Sequence, residues 1–167
     1  RRKAKSVQLK KVLHLEKPGG PLPRNLDPSA KPLTVGAWCT PESGDGVLVA
    51  QGGASIGYSL YLAGGKARFA IRSNGVLKEI ASAEKIETGK RIHIVGTLEA
   101  NGKLALLVNG SAVAGGAGLL LPGKPSDGLN VGDDAGSLVA DYPASSKFKG
   151  RLEDIRIYWG VLDSKAL

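Results

Sequence analysis

The chain has one cysteine, Cys39, two histidines, His14 and His93, and no methionine among its 167 residues. A lone thiol cannot close an internal disulfide, and it leaves a multi-cysteine zinc site without ligands. Aromatic residues make up only 5% of the chain, which is thin for a module that holds ligands by stacking alone. Apolar runs end after a few residues, as at Leu119-Leu120-Leu121, so a membrane-spanning helix is excluded. No charged stretch leads into an apolar core as in a signal peptide, because lysines interrupt the apolar residues from Val7 to Leu15. The opening Arg1-Arg2-Lys3, in a chain without methionine, is what an excised or processed piece of a longer protein would show.

What is present describes a turn-rich globular domain. There are 24 glycines, 9 prolines and 42% hydrophobic residues, too apolar for a disordered chain. The length suits one domain over residues 1–167, able to bury a core without staples. The formal charge of +8 is unevenly spread. Residues 1–31 hold nine Lys/Arg against two Asp/Glu, and the remainder holds fourteen against thirteen. The excess is therefore a basic arm that solvates or draws polyanions weakly, and no sequence-specific nucleic-acid reader is expected.

After Leu33 the apolar residues recur at period two, the mark of half-buried antiparallel strands. Leu33, Val35, Ala37 and Cys39 share one strand face, with Thr34, Gly36, Trp38 and Thr40 on the other. The same alternation runs through Tyr58 to Leu62, Ala67 to Ile71, Ile92 to Leu98 and Leu104 to Val108. Gly64-Gly65, Asn74-Gly75, Asn101-Gly102 and Asn109-Gly110 separate these runs and predict tight hairpins in a meander. In the last strand Phe148, Gly150 and Leu152 are in one phase and Ile155, Ile157 and Trp159 in the other, which predicts a bulge near Glu153-Asp154. A helical turn over Leu162–Leu167 is expected after an Asp163 or Ser164 cap. The strands around Val7 to Leu15 lie beyond a Pro/Gly loop from Leu33 and are expected to cross between sheets. The sum is an all-β, two-sheet antiparallel jelly-roll sandwich of about ten to thirteen strands.

Four segments resemble the concanavalin A-like lectin/glucanase superfamily in its laminin-G-like branch. They are Pro32-Leu33-Thr34-Val35-Gly36-Ala37-Trp38, Gly57 to Lys66, the strand and turn Lys103 to Gly110, and the closing Phe148 to Tyr158. The resemblance covers residues 32–162, with residues 1–31 as the basic arm and first strands. Gly132 to Ser137 with Asp141-Tyr142 is similar to accessory C-terminal domains of secreted bacterial sulfatases. The resemblance implies a secreted or periplasmic protein. It implies a non-catalytic accessory domain that binds glycan or packs on the catalytic domain of its parent chain. A hydrolase or lyase of the same fold, or a protein-binding adhesion module, is the alternative.

The residues bear on that choice. A glycosidase needs two carboxylates converging on one sugar. Glu153 and Asp154 are adjacent and on a regular strand would face apart, so no same-face pair is evident. Glu84 and Glu87 read as surface charge, and neither histidine has a catalytic partner nearby in sequence. Cys39 reads as a small buried hydrophobe, and Trp38 as an inter-sheet core residue with a sugar platform as the alternative. Arg68 and Arg72, with Lys66, leave one strand face, and Lys78 is expected to join them across the hairpin. Such a basic surface suits a sulfated or acidic polysaccharide, with Tyr58, Tyr61 and Tyr142 as candidate stacking partners and core packing as the alternative. Asp133, Asp134 and Asp141 are candidate calcium ligands in a flexible loop. Laminin-G-like domains imply such an ion, and turn capping is the alternative reading of these aspartates.

Overall fold

The computed structural model describes residues 9–144 and 146–161. The expected turn over Leu162–Leu167 and the first eight residues lie outside the described residues. Eleven strands form two sheets, with no helix among the described residues. They are β1 (Lys10–Leu15), β2 (Leu33–Pro41), β3 (Gly46–Gly52), β4 (Gly57–Ala63), β5 (Lys66–Ser73), β6 (Val76–Ala81), β7 (Ile92–Leu98), β8 (Lys103–Val108), β9 (Ser111–Ala117), β10 (Leu129–Val131) and β11 (Gly150–Trp159). A six-stranded sheet has the order β1-β11-β2-β7-β8-β9, and a five-stranded sheet has the order β10-β3-β4-β5-β6. Every pairing between these strands is antiparallel.

The turn glycines set the hairpins. Gly64-Gly65, Asn74-Gly75 and Asn109-Gly110 have positive φ at both positions, as two-residue hairpin loops require. At Asn101-Gly102 only Gly102 is left-handed, and its amide donates to Glu99 O at 2.8 Å, making a longer, bulged loop. The hairpins do not form one meander. β4–β6 close one run in the five-stranded sheet, and β7–β9 form another in the six-stranded sheet. β1 departs from expectation in one respect. It pairs with β11 rather than with β2, yet stays in the same sheet as β2.

One apolar core fills the space between the sheets, with Leu33, Val35, Ala37, Cys39, Tyr58, Leu60, Phe69, Ile71, Ile94, Leu104, Leu106 and Ile157 all buried in it. The sheets meet most closely where the Phe69 ring rests on Gly96. A Cβ at Gly96 would come within 2.4 Å of that ring, so only glycine lets the two layers approach here. The expected bulge in β11 is present. Its register with β2 shifts between Glu153 and Arg156, and Asp154 has φ +50°.

The two outer sheet faces differ. Over the five-stranded sheet, residues 138–142 fold down and make a second apolar cluster. Val47, Ala50, Tyr61 and Ala70 of the sheet meet Ala140, Tyr142 and Leu138 of the loop. No such cluster of described residues forms over the outer face of the six-stranded sheet, where Trp38, His93, Arg156 and Tyr158 remain half-buried.

Candidate functional site

The residues expected to form a basic glycan surface are divided by the fold. Tyr58 lies fully in the inter-sheet core, where its hydroxyl donates to Gln51 Oε1 at 2.8 Å. Lys78 is paired with Ile71, so it faces away from Arg68 and Arg72, which pair with Ala81 and Leu77. Arg68, Arg72, Tyr61 and Tyr142 are brought together, but under the loop. The Tyr61 and Tyr142 rings pack edge to face with centroids 4.9 Å apart, and both are buried. Tyr61 donates to Glu79, and Arg68 pairs with Glu79 at 3.1 Å. Arg72 holds the loop in place through Val139 O at 2.6 Å and Asp141 Oδ1 at 3.2 Å. Burial pushes the Tyr58, Tyr61 and Tyr142 phenols well above their usual value. These groups staple a loop to a sheet, and no stacking surface is left among the three tyrosines.

The expected calcium ligands do not converge either. Asp141 turns its carboxylate to Arg72, a cation already in place. Asp134 is buried, and its Oδ2 accepts from Val139 N at 2.8 Å and from the Tyr142 hydroxyl. Its Oδ1 is buried with no partner among the described residues. Burial raises the Asp134 carboxyl above its usual value, and the charges of Asp127 and Asp133 push the same way. With Asp141 held by Arg72 and Asp134 Oδ2 by two donors, these two carboxylates serve the packing of the loop itself. Asp134 is a loop staple.

On the open face of the six-stranded sheet a different constellation forms. Its floor is Gly36, where a Cβ would come within 2.9 Å of Val95 Cγ2. Around it stand Trp38, His93, Asp154, Arg156 and Tyr158, enclosing a cavity of about 50 Å³. Trp38 lies on this outer face and not in the core, because it is out of phase with Ala37 and Cys39. Its ring stacks on His93 at 4.8 Å, and the Arg91 guanidinium lies 4.1 Å from the ring centre. Arg91 also pairs with Glu153 at 3.6 Å.

The β11 bulge supplies the rest. By inserting one residue at left-handed φ it turns Asp154 to the same face as Glu153, which the regular-strand reading did not allow. Asp154 Oδ1 accepts from Arg156 Nε at 2.8 Å and lies 2.7 Å from His14 Nε2 of β1. Arg156 Nη1 reaches Tyr158 Oη at 3.4 Å. Partial burial pushes the Asp154 carboxyl up, but the bonds from Arg156 and His14 outweigh it and hold it below its usual value. Burial holds the His93 imidazole down, with Arg156 and Arg91 adding to the effect against Asp154. A general acid in glycoside hydrolysis needs a raised carboxyl. Asp154 is shifted the opposite way, so it does not have the raised carboxyl of such an acid.

The alternation of Thr34, Gly36 and Trp38 with His93 was a readable signal for this face, and the phase change in β11 pointed to its bulge. The meeting of His14 with Asp154 had no local signal, since the two are 140 positions apart.

Over residues 18–166 the chain matches the laminin-G family described as the concanavalin A-like lectin/glucanases superfamily. The chain belongs to that superfamily. Among solved structures the concanavalin A-like fold recurs in the CBM40 domain of the Ruminococcus gnavus IT-sialidase bound to α2,3-sialyllactose. That match has a TM-score of 0.68 at 15% identity and covers 97% of this chain and 96% of that one. The native heptameric SAP-like pentraxin of Limulus polyphemus matches with TM-score 0.63 at 18% identity, over 95% of this chain and 79% of that one. Domains LG4-5 of the mouse laminin α1 chain match with TM-score 0.63 at 16% identity, over 95% and 44%. At these identities the likeness is one of fold. No curated protein sequence matches the chain.

Proposed function

We propose that this concanavalin A-like domain is a non-catalytic glycan-binding module that uses the outer face of its six-stranded sheet. The observation that carries the reading is the asymmetry of the two outer faces. Residues 138–142 occupy one, and the other presents Trp38, His93, Arg156 and Tyr158 around a glycine-floored depression. Aromatic edges beside guanidinium groups suit a sugar ring carrying carboxylate or sulfate. That the CBM40 domain of similar fold was solved with sialyllactose supports an acidic glycan. The excess of basic residues in the chain agrees with an anionic ligand.

We place the module as an accessory domain of a secreted or periplasmic carbohydrate-active enzyme, with a sulfatase as the parent that the Gly132–Tyr142 resemblance favours. The test is a glycan array on the isolated domain, followed by affinities for Trp38→Ala, Tyr158→Ala and Lys78→Ala. Binding to carboxylated or sulfated glycans is expected, at least tenfold weaker in the first two variants and unchanged in the third. Turnover of any glycan by the domain, or no glycan binding at all, would remove the reading.

A further inference from the structure

Beside that face, at the edge of the six-stranded sheet, three donor groups converge from two strands. His14 of β1 and Glu16 just beyond its end leave the same strand face at i, i+2 spacing, and Asp154 stands on the β11 bulge next to them. His14 Nε2 lies 2.7 Å from Asp154 Oδ1 and 3.3 Å from Glu16 Oε1. All three donor atoms fall within 4.8 Å of one another, the one such group among the described residues.

The geometry points to a site for a zinc-class divalent ion held by His14, Glu16 and Asp154. Zinc takes imidazole nitrogen and carboxylate oxygen at about 2.0–2.2 Å, which sets tetrahedral ligand atoms about 3.4 Å apart. The His14–Glu16 separation already matches. The His14–Asp154 pair need open by less than about 1 Å once the ion replaces the proton between them. The charges agree, because two carboxylates offset the ion and a neutral imidazole adds no repulsion. Arg156 is the opposing cation, and it occupies Asp154 Oδ1 through Nε. Imidazole with carboxylates selects zinc, copper or nickel over calcium. Donors are supported unequally: His14 and Asp154 are 28% and 27% exposed, whereas Glu16 is 81% exposed. The site therefore has two partly buried donors and one exposed donor, and it is open enough to complete the coordination with water. Its effect would be to clamp β1, a strand within the basic residues 1–31, onto β11.

The test uses the metal-free protein titrated with Zn²⁺ by calorimetry and with Co²⁺ by visible absorption. One ion per chain is expected, with affinity at least tenfold weaker in His14→Gln and in Asp154→Asn, and unchanged in His93→Gln on the same sheet face. His14→Gln lies on an edge strand and keeps a polar side chain, so it reports even if Asp154→Asn misfolds. No binding at 100-fold the protein concentration, or equal affinity in wild type and His14→Gln, would overturn the assignment. A loss in His93→Gln as large as that in His14→Gln would overturn the donor set. Glycan binding does not enter these readouts, so the two proposals fail separately.

Discussion

Asp134 and Asp154 show how one residue type is set to opposite tasks by its surroundings. Asp134 is buried and its carboxyl raised, so the folded state holds its proton more tightly than the unfolded chain. Its contribution to stability is full below the unfolded value of about 3.9 and is lost as pH rises through the higher folded value. Asn at this position keeps an acceptor for Val139 N–H and the Tyr142 hydroxyl while removing the charge. Asp134→Asn is therefore expected to raise the melting temperature at pH 7 and to be neutral near pH 4, checked by thermal unfolding across that range. A variant that is destabilised equally at both pH values would contradict this account of Asp134. Asp154 has the other sign. Its lowered carboxyl stabilises the fold above the unfolded value, and that contribution is lost as pH falls through the lower folded one. Cys39 is simpler. Its thiol is fully buried and pushed up to about 12 by burial, so a thiol reagent should label it only after denaturant is added.

At the scale of strands and turns, the hairpin loops make graded predictions. Gly102 and Gly110 both have positive φ, near +88° and +81°. A Cβ at Gly102 would also meet Gly118 O at 2.6 Å, whereas Gly110 has open space around it. Gly110→Val should cost about 1 kcal/mol for the backbone alone, and Gly102→Val clearly more, as chemical denaturation would measure. Equal costs would mean the β8 entry does not pack against residue 118. These turns were legible in the sequence because Asn-Gly admits few other conformations. The β11 bulge was legible because its apolar phase reverses. The face of Lys78 is fixed by one such turn, opposite to that of Arg68 and Arg72. A two-residue turn at Asn74-Gly75 pairs Ser73 with Val76 and so must pair Ile71 with Lys78. Burial of Tyr58 likewise follows from its phase with Leu60 and Leu62. The partners of Arg68 and Arg72 were not legible, since Glu79 and Asp141 reach them only once hairpin and loop are folded.

For the whole molecule, the decisive property is which sheet face the chain covers with its own residues. Period-two patterning marks inner and outer faces but carries no record of a loop that packs on one outer face. The Gly-, Asp-, Ser- and Pro-rich composition from Pro122 to Ser146 reads as a loop region. Its apolar members Leu138, Ala140 and Tyr142 are spaced by two and seal the five-stranded sheet instead. With that face closed, the proposed glycan site falls on the six-stranded sheet, and the basic residues 1–31 would add a long-range attraction for an anionic ligand. Exposed charges are screened over about 8 Å at physiological salt. Affinity for heparin should therefore drop several-fold between 50 and 300 mM NaCl, a series that affinity chromatography resolves.

The most direct test is an amide chemical-shift titration of the isotope-labelled domain with sulfated and sialylated oligosaccharides. The account predicts shifts that cluster on β2, β7 and β11, at Trp38, His93, Arg156 and Tyr158, and leave residues 134–142 still. Shifts confined to residues 134–142 would contradict it.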